Sequence, residues 1–208
     1  MVKTQKQNNS ANALTAKAEI RRNVLDAIDE SLSAIDGPVK VFDAFCGTGK
    51  MHKAVWHLAE HYTGCDKEWA RDERRCFVAD NRRVMRGIDL SAFNVFDLDA
   101  HGSPWEQAFI LAARREVAPG ETIGVVLTDG TGLAMIGNHV EVALARLAGL
   151  KPDGMVGVLR QRDAILDRAV IGLAKALHCQ IVARWQADGK NEGQAQVRYI
   201  GLVLKGIL

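Results

Sequence analysis

Residues 39–50 read VKVFDAFCGTGK. The first seven, Val39–Phe45, are mostly apolar, and the run is too short for a helix and the right length for a buried strand. It leads into Cys46-Gly47-Thr48-Gly49, where two glycines let the backbone turn tightly and approach a ligand without a Cβ in the way. Lys50–Glu60 then has helical periodicity, with Met51, Val55, Leu58 and Ala59 on one face. A strand, a glycine turn and a helix in that order form the opening unit of a parallel α/β sheet.

The same alternation extends in both directions. Upstream, Ala11–Ile35 is expected to be a helix with Ile20, Val24, Leu25, Ala27, Ile28 and Leu32 as its apolar stripe, stopped by Asp36-Gly37-Pro38. Residues 1–10 are polar and are expected to be mobile. Downstream, strands are expected at Tyr62–Asp66, Cys76–Ala79, Asn94–Asp99 and Thr122–Thr128. A helix starts at Ser103-Pro104, and two more lie near 138–149 and 162–177. Gln180–Trp185 and Val197–Leu204, joined by the polar stretch ADGKNEGQ, read as an antiparallel hairpin. The fold class is therefore α/β and Rossmann-like: a mostly parallel seven-stranded sheet with a C-terminal antiparallel hairpin and helices on both faces. Residues 1–35 form a tail and a helix packed on the domain, and 36–208 form the cofactor-binding domain.

Composition excludes several classes. With 48% apolar and 25% charged residues the 208-residue chain is neither disordered nor fibrous. No apolar run approaches the ~18 residues of a membrane span, and the polar start MVKTQKQNNSANALTAKAE has no signal-peptide core. Cys46, Cys65, Cys76 and Cys179 are scattered without a C-x-x-C pair, which suits a reducing, cytoplasmic setting and neither a zinc knuckle nor a disulfide framework. The net charge of +2 carries no global polyanion signal. Residues 67–86 are locally basic, and a solvated face and a phosphate-contacting patch both account for them. His57 and His61 have i, i+4 spacing, but Leu58 stands where a zincin needs glutamate, so no metal is assigned.

In an open parallel sheet, ligands bind beyond the carboxyl ends of the strands, and the suggestive residues fall there. Asp43, Phe45, Cys46, Gly47 and Gly49 lie in the first turn. Asp66 ends the second strand, 23 residues after Asp43, the spacing at which a carboxylate accepts both protons of a ribose diol. A simple strand-end cap is the competing account of Asp66. Asp80-Asn81 ends the third strand and is placed to accept from an adenine amino group; read alone, Asp80 is a turn residue. Together these make an adenosine site. A nicotinamide dinucleotide would favour a third glycine where His52 stands, and no Walker loop occurs.

The fourth strand runs into NVFDLDAHGSPW, residues 94–105. Asp97 and Asp99 are two apart and point to one side. Two carboxylates in an apolar strand are costly unless paired or working.

At this point the chain resembles the class I S-adenosylmethionine-dependent methyltransferases, through VFDAFCGTGK (41–50), GCD (64–66) and ADN (79–81). Within that class, Asp97–Pro104 (DLDAHGSP) resembles the D-L-D-P-[FY]-G-S-P motif of the tRNA guanine-N2 methyltransferase family, and Val126–Asp129 (VLTD) is similar to a second stretch of it. Ala100 stands in place of the family's proline, and His101 in place of the aromatic residue that stacks on the target base. Histidine can still stack or act as a base near neutral pH.

The resemblance implies S-adenosylmethionine as cofactor and in-line methyl transfer, with RNA or DNA as substrate partner. Asp99 would hold the target amine, His101 would face the substrate, and Asp97 would lie nearer the cofactor. A carboxylate accepting the N–H bonds of an exocyclic amine orients its lone pair, which is positioning more than proton abstraction. Methylation of a small molecule or protein, and a non-catalytic cofactor-binding module, are the alternatives.

Overall fold

A computed structural model describes residues 3–6, 13–32, 37–68, 72–151, 155–189 and 197–207. Eight strands form one sheet: β1 (Lys3–Lys6), β2 (Lys40–Asp43), β3 (His61–Asp66), β4 (Cys76–Val78), β5 (Val95–Leu98), β6 (Thr122–Asp129), β7 (Cys179–Gly189) and β8 (Val197–Gly206). Their order is β1-β7-β8-β6-β5-β2-β3-β4, and β8 alone runs antiparallel to both neighbours. All seven expected strands are present, with the terminal hairpin inserted beside β6.

The eighth strand corrects the expectation of a mobile start, because Lys3–Lys6 pair in parallel with Ala183–Gln186. The outer edge of β7 presents unpaired backbone donors and acceptors, and even a polar segment can satisfy them.

The helices are α1 (Ala13–Ser31), α2 (Lys50–Ala54), α3 (Asn81–Gly87), α4 (Trp105–Arg114), α5 (Gly132–Ile136), α6 (Val142–Leu147) and α7 (Arg162–Ala176). The α1 stripe is Ile20, Val24 and Ile28, all fully buried with Val41, Val95, Val126 and Val203 of the sheet. The opposite face packs Phe42, Phe96, Leu98, Val125 and Leu127 against α3, α4, α6 and α7. Period-two alternation along β5 thus sends Val95 to one core and Phe96 and Leu98 to the other. No helix among the described residues is long and apolar enough to cross a membrane.

One expected helix differs in detail, and helix α3 is additional. The helix expected over Lys50–Glu60 ends at Ala54, where Val55 leaves helical geometry (φ −141°) and a 3₁₀ turn, Trp56–Leu58, follows. That break carries the Trp56 indole into the core, and it removes His57 and His61 from any common helix face, since His61 begins β3. Helix α3 was not anticipated, although Asp80 before Val84 and Met85 supplies its N-cap and apolar face. The stop expected at Asp36 lies outside the described residues, and Gly37 beside it has φ +76°.

Helix α1 approaches the sheet closely because two facing positions are glycine. A Cβ at Gly124 would fall 2.6 Å from Val24 Cγ1, and one at Gly201 would fall 2.8 Å from Val24 Cγ2 and 2.9 Å from Ile20 Cγ2. Gly201→Ala is therefore expected to lower stability by about 1–3 kcal/mol through overpacking. Denaturant unfolding measures it, and an unchanged midpoint would remove the close-approach account.

Candidate active site

Strand order reverses between β2 and β5: β3 and β4 lie on one side, β6 on the other. The crevice beyond the carboxyl ends of β2 and β5 is thus the topological switch point, where open α/β sheets place ligands. Asp43 and Asp97 are register partners across it.

The loops at this edge are tied to one another by backbone and side-chain bonds. Gly47 (φ +43°) and Gly49 (φ +78°) both take the left-handed conformation that favours glycine. The Gly47 N–H donates to Asp66 Oδ2 at 2.9 Å, and the Glu68 N–H to Asp66 Oδ1 at 3.1 Å. The Ala79 N–H donates to the Asp66 carbonyl at 2.8 Å, and the Ala44 N–H to the Asp97 carbonyl at 2.9 Å. Asn81 Nδ2 donates to the Ala44 carbonyl at 2.8 Å while its Oδ1 accepts from Gln107 at 3.0 Å. The glycine turn, Asp66 and the 79–81 loop therefore lie side by side. Phe45 is half-buried against the core, and Cys46 is buried beside Gly64.

Arg74 closes the outer side of the turn. It donates to the carbonyls of Cys46 (3.1 Å) and Gly47 (2.8 Å), and a Cβ at Gly49 would lie 2.8 Å from its guanidinium carbon.

Asp80 is tied into its own turn. It caps α3 by accepting the Arg82 N–H at 2.9 Å, and the Arg82 guanidinium takes both its oxygens at 3.0 and 2.6 Å. These bonds hold its carboxyl well below the ordinary carboxylate range. The Asp80 side chain thus caps α3 and pairs with Arg82.

The two acids of β5 and its exit separate into distinct roles. Asp97 is fully buried; Arg21 grips it in a fork at 2.6 and 2.7 Å, and the Trp56 indole N–H donates to it at 2.7 Å. Both Asp97 oxygens are thus occupied inside the core, away from solvent. Burial pushes its carboxyl up and Arg21 pulls against that. Arg21 is itself fully buried, and its Nη2 lies 3.3 Å from Asp99 Oδ2.

Asp99 remains partly open at 12% side-chain exposure, and the Lys17 ammonium sits 2.7 Å from Oδ1. Burial opposes its charge, but Arg21 and Lys17 outweigh it and hold the carboxyl below the ordinary range. Asp99 is thus an ionised acceptor at the mouth of the crevice.

The loop after Asp99 is held from below. Ala100 is buried and His101 exposed. Gly102 takes φ +103°, and its carbonyl accepts the Gly130 N–H at 2.5 Å. Ser103 donates to Glu141, and the Trp105 indole donates to Asp129 at 2.9 Å. Asp129 is fully buried between Trp105, Thr131 (2.8 Å) and Arg162 (2.8 Å). Residues 128–132 (TDGTG) are therefore a clamp beneath the 99–104 loop.

Asp43 is a further acid of this edge. It accepts from the Tyr62 hydroxyl at 2.8 Å and the Phe45 N–H at 3.1 Å. Burial and the neighbouring Asp97 charge push its carboxyl up to about 8.

Lys17, Arg21 and Tyr62 carry much of this geometry and escaped sequence reading, which placed Arg74 only within the basic stretch 67–86. Arg21 alone left a signal, a cation set among Ile20, Val24 and Leu25 on an otherwise apolar helix face.

No protein-family model matches the chain, and a comparison with curated proteins found no match. Solved structures do match. Trm1 from Pyrococcus horikoshii, determined with S-adenosyl-L-methionine, aligns over 93% of this chain and 55% of its own, at 17% identity and TM-score 0.55. M. jannaschii TYW2 in complex with AdoMet aligns over 96% of this chain and 80% of its own, at 9% identity and TM-score 0.53. The N-methyltransferase NodS from Bradyrhizobium japonicum WM9, in complex with S-adenosyl-L-homocysteine, aligns over 95% and 89%, at 10% identity and TM-score 0.50. The chain spans little more than half the length of the Trm1 structure. It has the Rossmann-like methyltransferase fold.

Two outcomes follow from the buried acids. Arg21→Met leaves Asp97 without its cation, and stability is expected to fall by about 3–5 kcal/mol in denaturant unfolding; a loss below 1 kcal/mol would show the pair is not structural. Asp43 is raised in the fold, so its contribution to stability is complete below the usual carboxylate value and is lost as pH rises through about 8. Asp43→Asn cannot ionise, and its melting temperature should decline less than that of the unaltered protein between pH ~5 and ~9. Parallel pH profiles would contradict the assignment.

Proposed function

We propose that this chain is an S-adenosylmethionine-dependent methyltransferase acting on an amino group of a nucleic-acid base, in RNA or DNA. The observation that carries the reading is the placement of Asp66 against the glycine turn and of ionised Asp99 at the same switch point of one sheet.

The residues fit the cofactor. Asp66 uses one lone pair of each oxygen on a backbone N–H, and each oxygen keeps a second for a ribose hydroxyl. The turn at Gly47 and Gly49 brings backbone, without side chains, to the place where the amino-acid end of the cofactor would lie. The 79–81 loop flanks the purine side through its backbone. When bound, S-adenosylmethionine supplies a methyl group activated by a positively charged sulfur.

The chain's part is positioning. Asp99, once Lys17 swings away, accepts an N–H of the acceptor amine and directs its lone pair toward the crevice. Arg21 keeps Asp99 ionised without touching the substrate. His101, exposed on the same loop, offers a ring face or an imidazole nitrogen to the acceptor. The support for a base as acceptor is the DLDAHGSP octapeptide.

A second reading, methylation of a small-molecule or protein amine, is favoured by one observation: the group now held by Asp99 is an aliphatic ammonium, that of Lys17.

Asp66→Ala should weaken S-adenosylmethionine binding about tenfold or more in calorimetry, the worth of charge-assisted bonds to a diol. Asp99→Asn should bind the cofactor normally and transfer label at least about a hundredfold more slowly. Radiolabelled cofactor offered with mixed tRNA, DNA and simple amines identifies the acceptor. Label on amines alone would replace the first reading by the second, and an unaltered affinity in Asp66→Ala would remove the ribose role.

A further inference from the structure

We infer that Cys46 and Cys76 form an oxidation-sensitive pair, a covalent modification site that ties the glycine turn to β4 and lowers cofactor binding. The effect on binding rests on the cofactor reading above; the bond itself does not.

The pairing is geometric. The two sulfurs lie 3.2 Å apart with no atom between them. A disulfide needs about 2.05 Å, so roughly an ångström of side-chain movement separates contact from bond. Gly64 makes this possible. It is the register partner of Cys76 on β3, and a Cβ there would fall 2.8 Å from both Cβ and Sγ of Cys46. Only a bare Cα lets the Cys46 thiol lie across β3 and reach the next strand. Thirty residues separate the two cysteines, so no sequence motif marks them. All four cysteines are free thiols, and the other two are placed differently: Cys65 turns to the opposite core and Cys179 opens β7.

The two thiols differ in access. Cys76 is half-buried on an edge strand, and Cys46 is buried, with burial pushing its thiol up. Cys76 is therefore the first to react. Hydrogen peroxide converts its thiolate to a sulfenic acid, forming an S–O bond, breaking the O–O bond and releasing hydroxide. The Cys46 sulfur then attacks the Cys76 sulfur, expelling the sulfenic oxygen with the Cys46 proton as water. Two thiols and one peroxide thus give one disulfide and two waters.

The bond would draw Cys46 toward β4. Its N–H donates to the Cys65 carbonyl at 3.1 Å, and its own carbonyl accepts the Gly49 N–H at 3.0 Å and Arg74 at 3.1 Å. The next residue, Gly47, holds Asp66. A shift at Cys46 thus reaches both elements of the proposed cofactor site.

The test uses the full chain treated with millimolar hydrogen peroxide. Two of the four thiols should disappear on titration in denaturant, and a proteolytic map should show a Cys46–Cys76 linked peptide, lighter by two hydrogens. Affinity for S-adenosylmethionine should fall about tenfold and return with dithiothreitol. Cys76→Ser should keep its affinity through the same treatment. Four intact thiols, a different pairing, over-oxidised Cys76 without a cross-link, or a linked protein with unchanged affinity each overturn the inference. Failure of the reduced protein to bind S-adenosylmethionine overturns the cofactor reading and the control of binding with it. The linked peptide decides the bond separately.

Discussion

The buried guanidinium of Arg21 is the interaction on which the reaction edge depends. Two carboxylates spaced to face the same way would repel each other at the centre of the sheet, where water cannot screen them. One arginine answers both: it forks onto Asp97 and reaches Asp99. The arrangement is possible only because α1 lies low enough on the sheet, and that depth is set by the missing side chains at Gly124 and Gly201. Helix position, sheet composition and the charge state of Asp99 are thus a single mechanical and electrostatic unit. A change to any one is felt at the mouth of the crevice.

The same edge shows how surroundings sort identical side chains. Asp43 and Asp97 face each other across β2 and β5, yet only Asp97 has a cation. Asp43 takes hydroxyl and amide donors and is driven toward its neutral form, which avoids placing a second unpaired charge beside the first. Asp99, one step further out, keeps its charge and some exposure. A neutral acid, a sequestered ion and an accessible ion thus occur within two strands. Only the last is both charged and partly open to solvent.

Much of the fold was legible because it rests on local pattern. Strand periodicity, the Gly47–Gly49 turn and the terminal hairpin all follow from short-range constraints, and each element appears where its residues require it. Two kinds of feature were not legible. One depends on partners distant in sequence: Arg21 meets Asp97 across 76 residues, and Trp56 meets it across 41. Spacing cannot reveal such bonds, so Asp97 could be read as paired or working without its partner being named. The other arises where one residue type suits two tasks. Asp80 has the character of a purine contact and of a helix cap, and its side chain caps the unexpected α3. Lys3–Lys6 show the reverse case, a stretch without a hydrophobic pattern whose backbone pairs with β7.

The order of the sheet has a bearing on association between copies. Its border strands, β1 and β4, contribute only four and three residues. The stretch of β7 before its pairing with β1 is broken, among the described residues, by the irregularity between Ile181 and Ala183. Among the described residues, a neighbouring chain meets no long, flat ribbon on which to continue the hydrogen-bond ladder. A sheet rich in valine, isoleucine and leucine along its middle strands is in this way kept from extending itself, because its stickiest strands are interior and its rims are short or kinked.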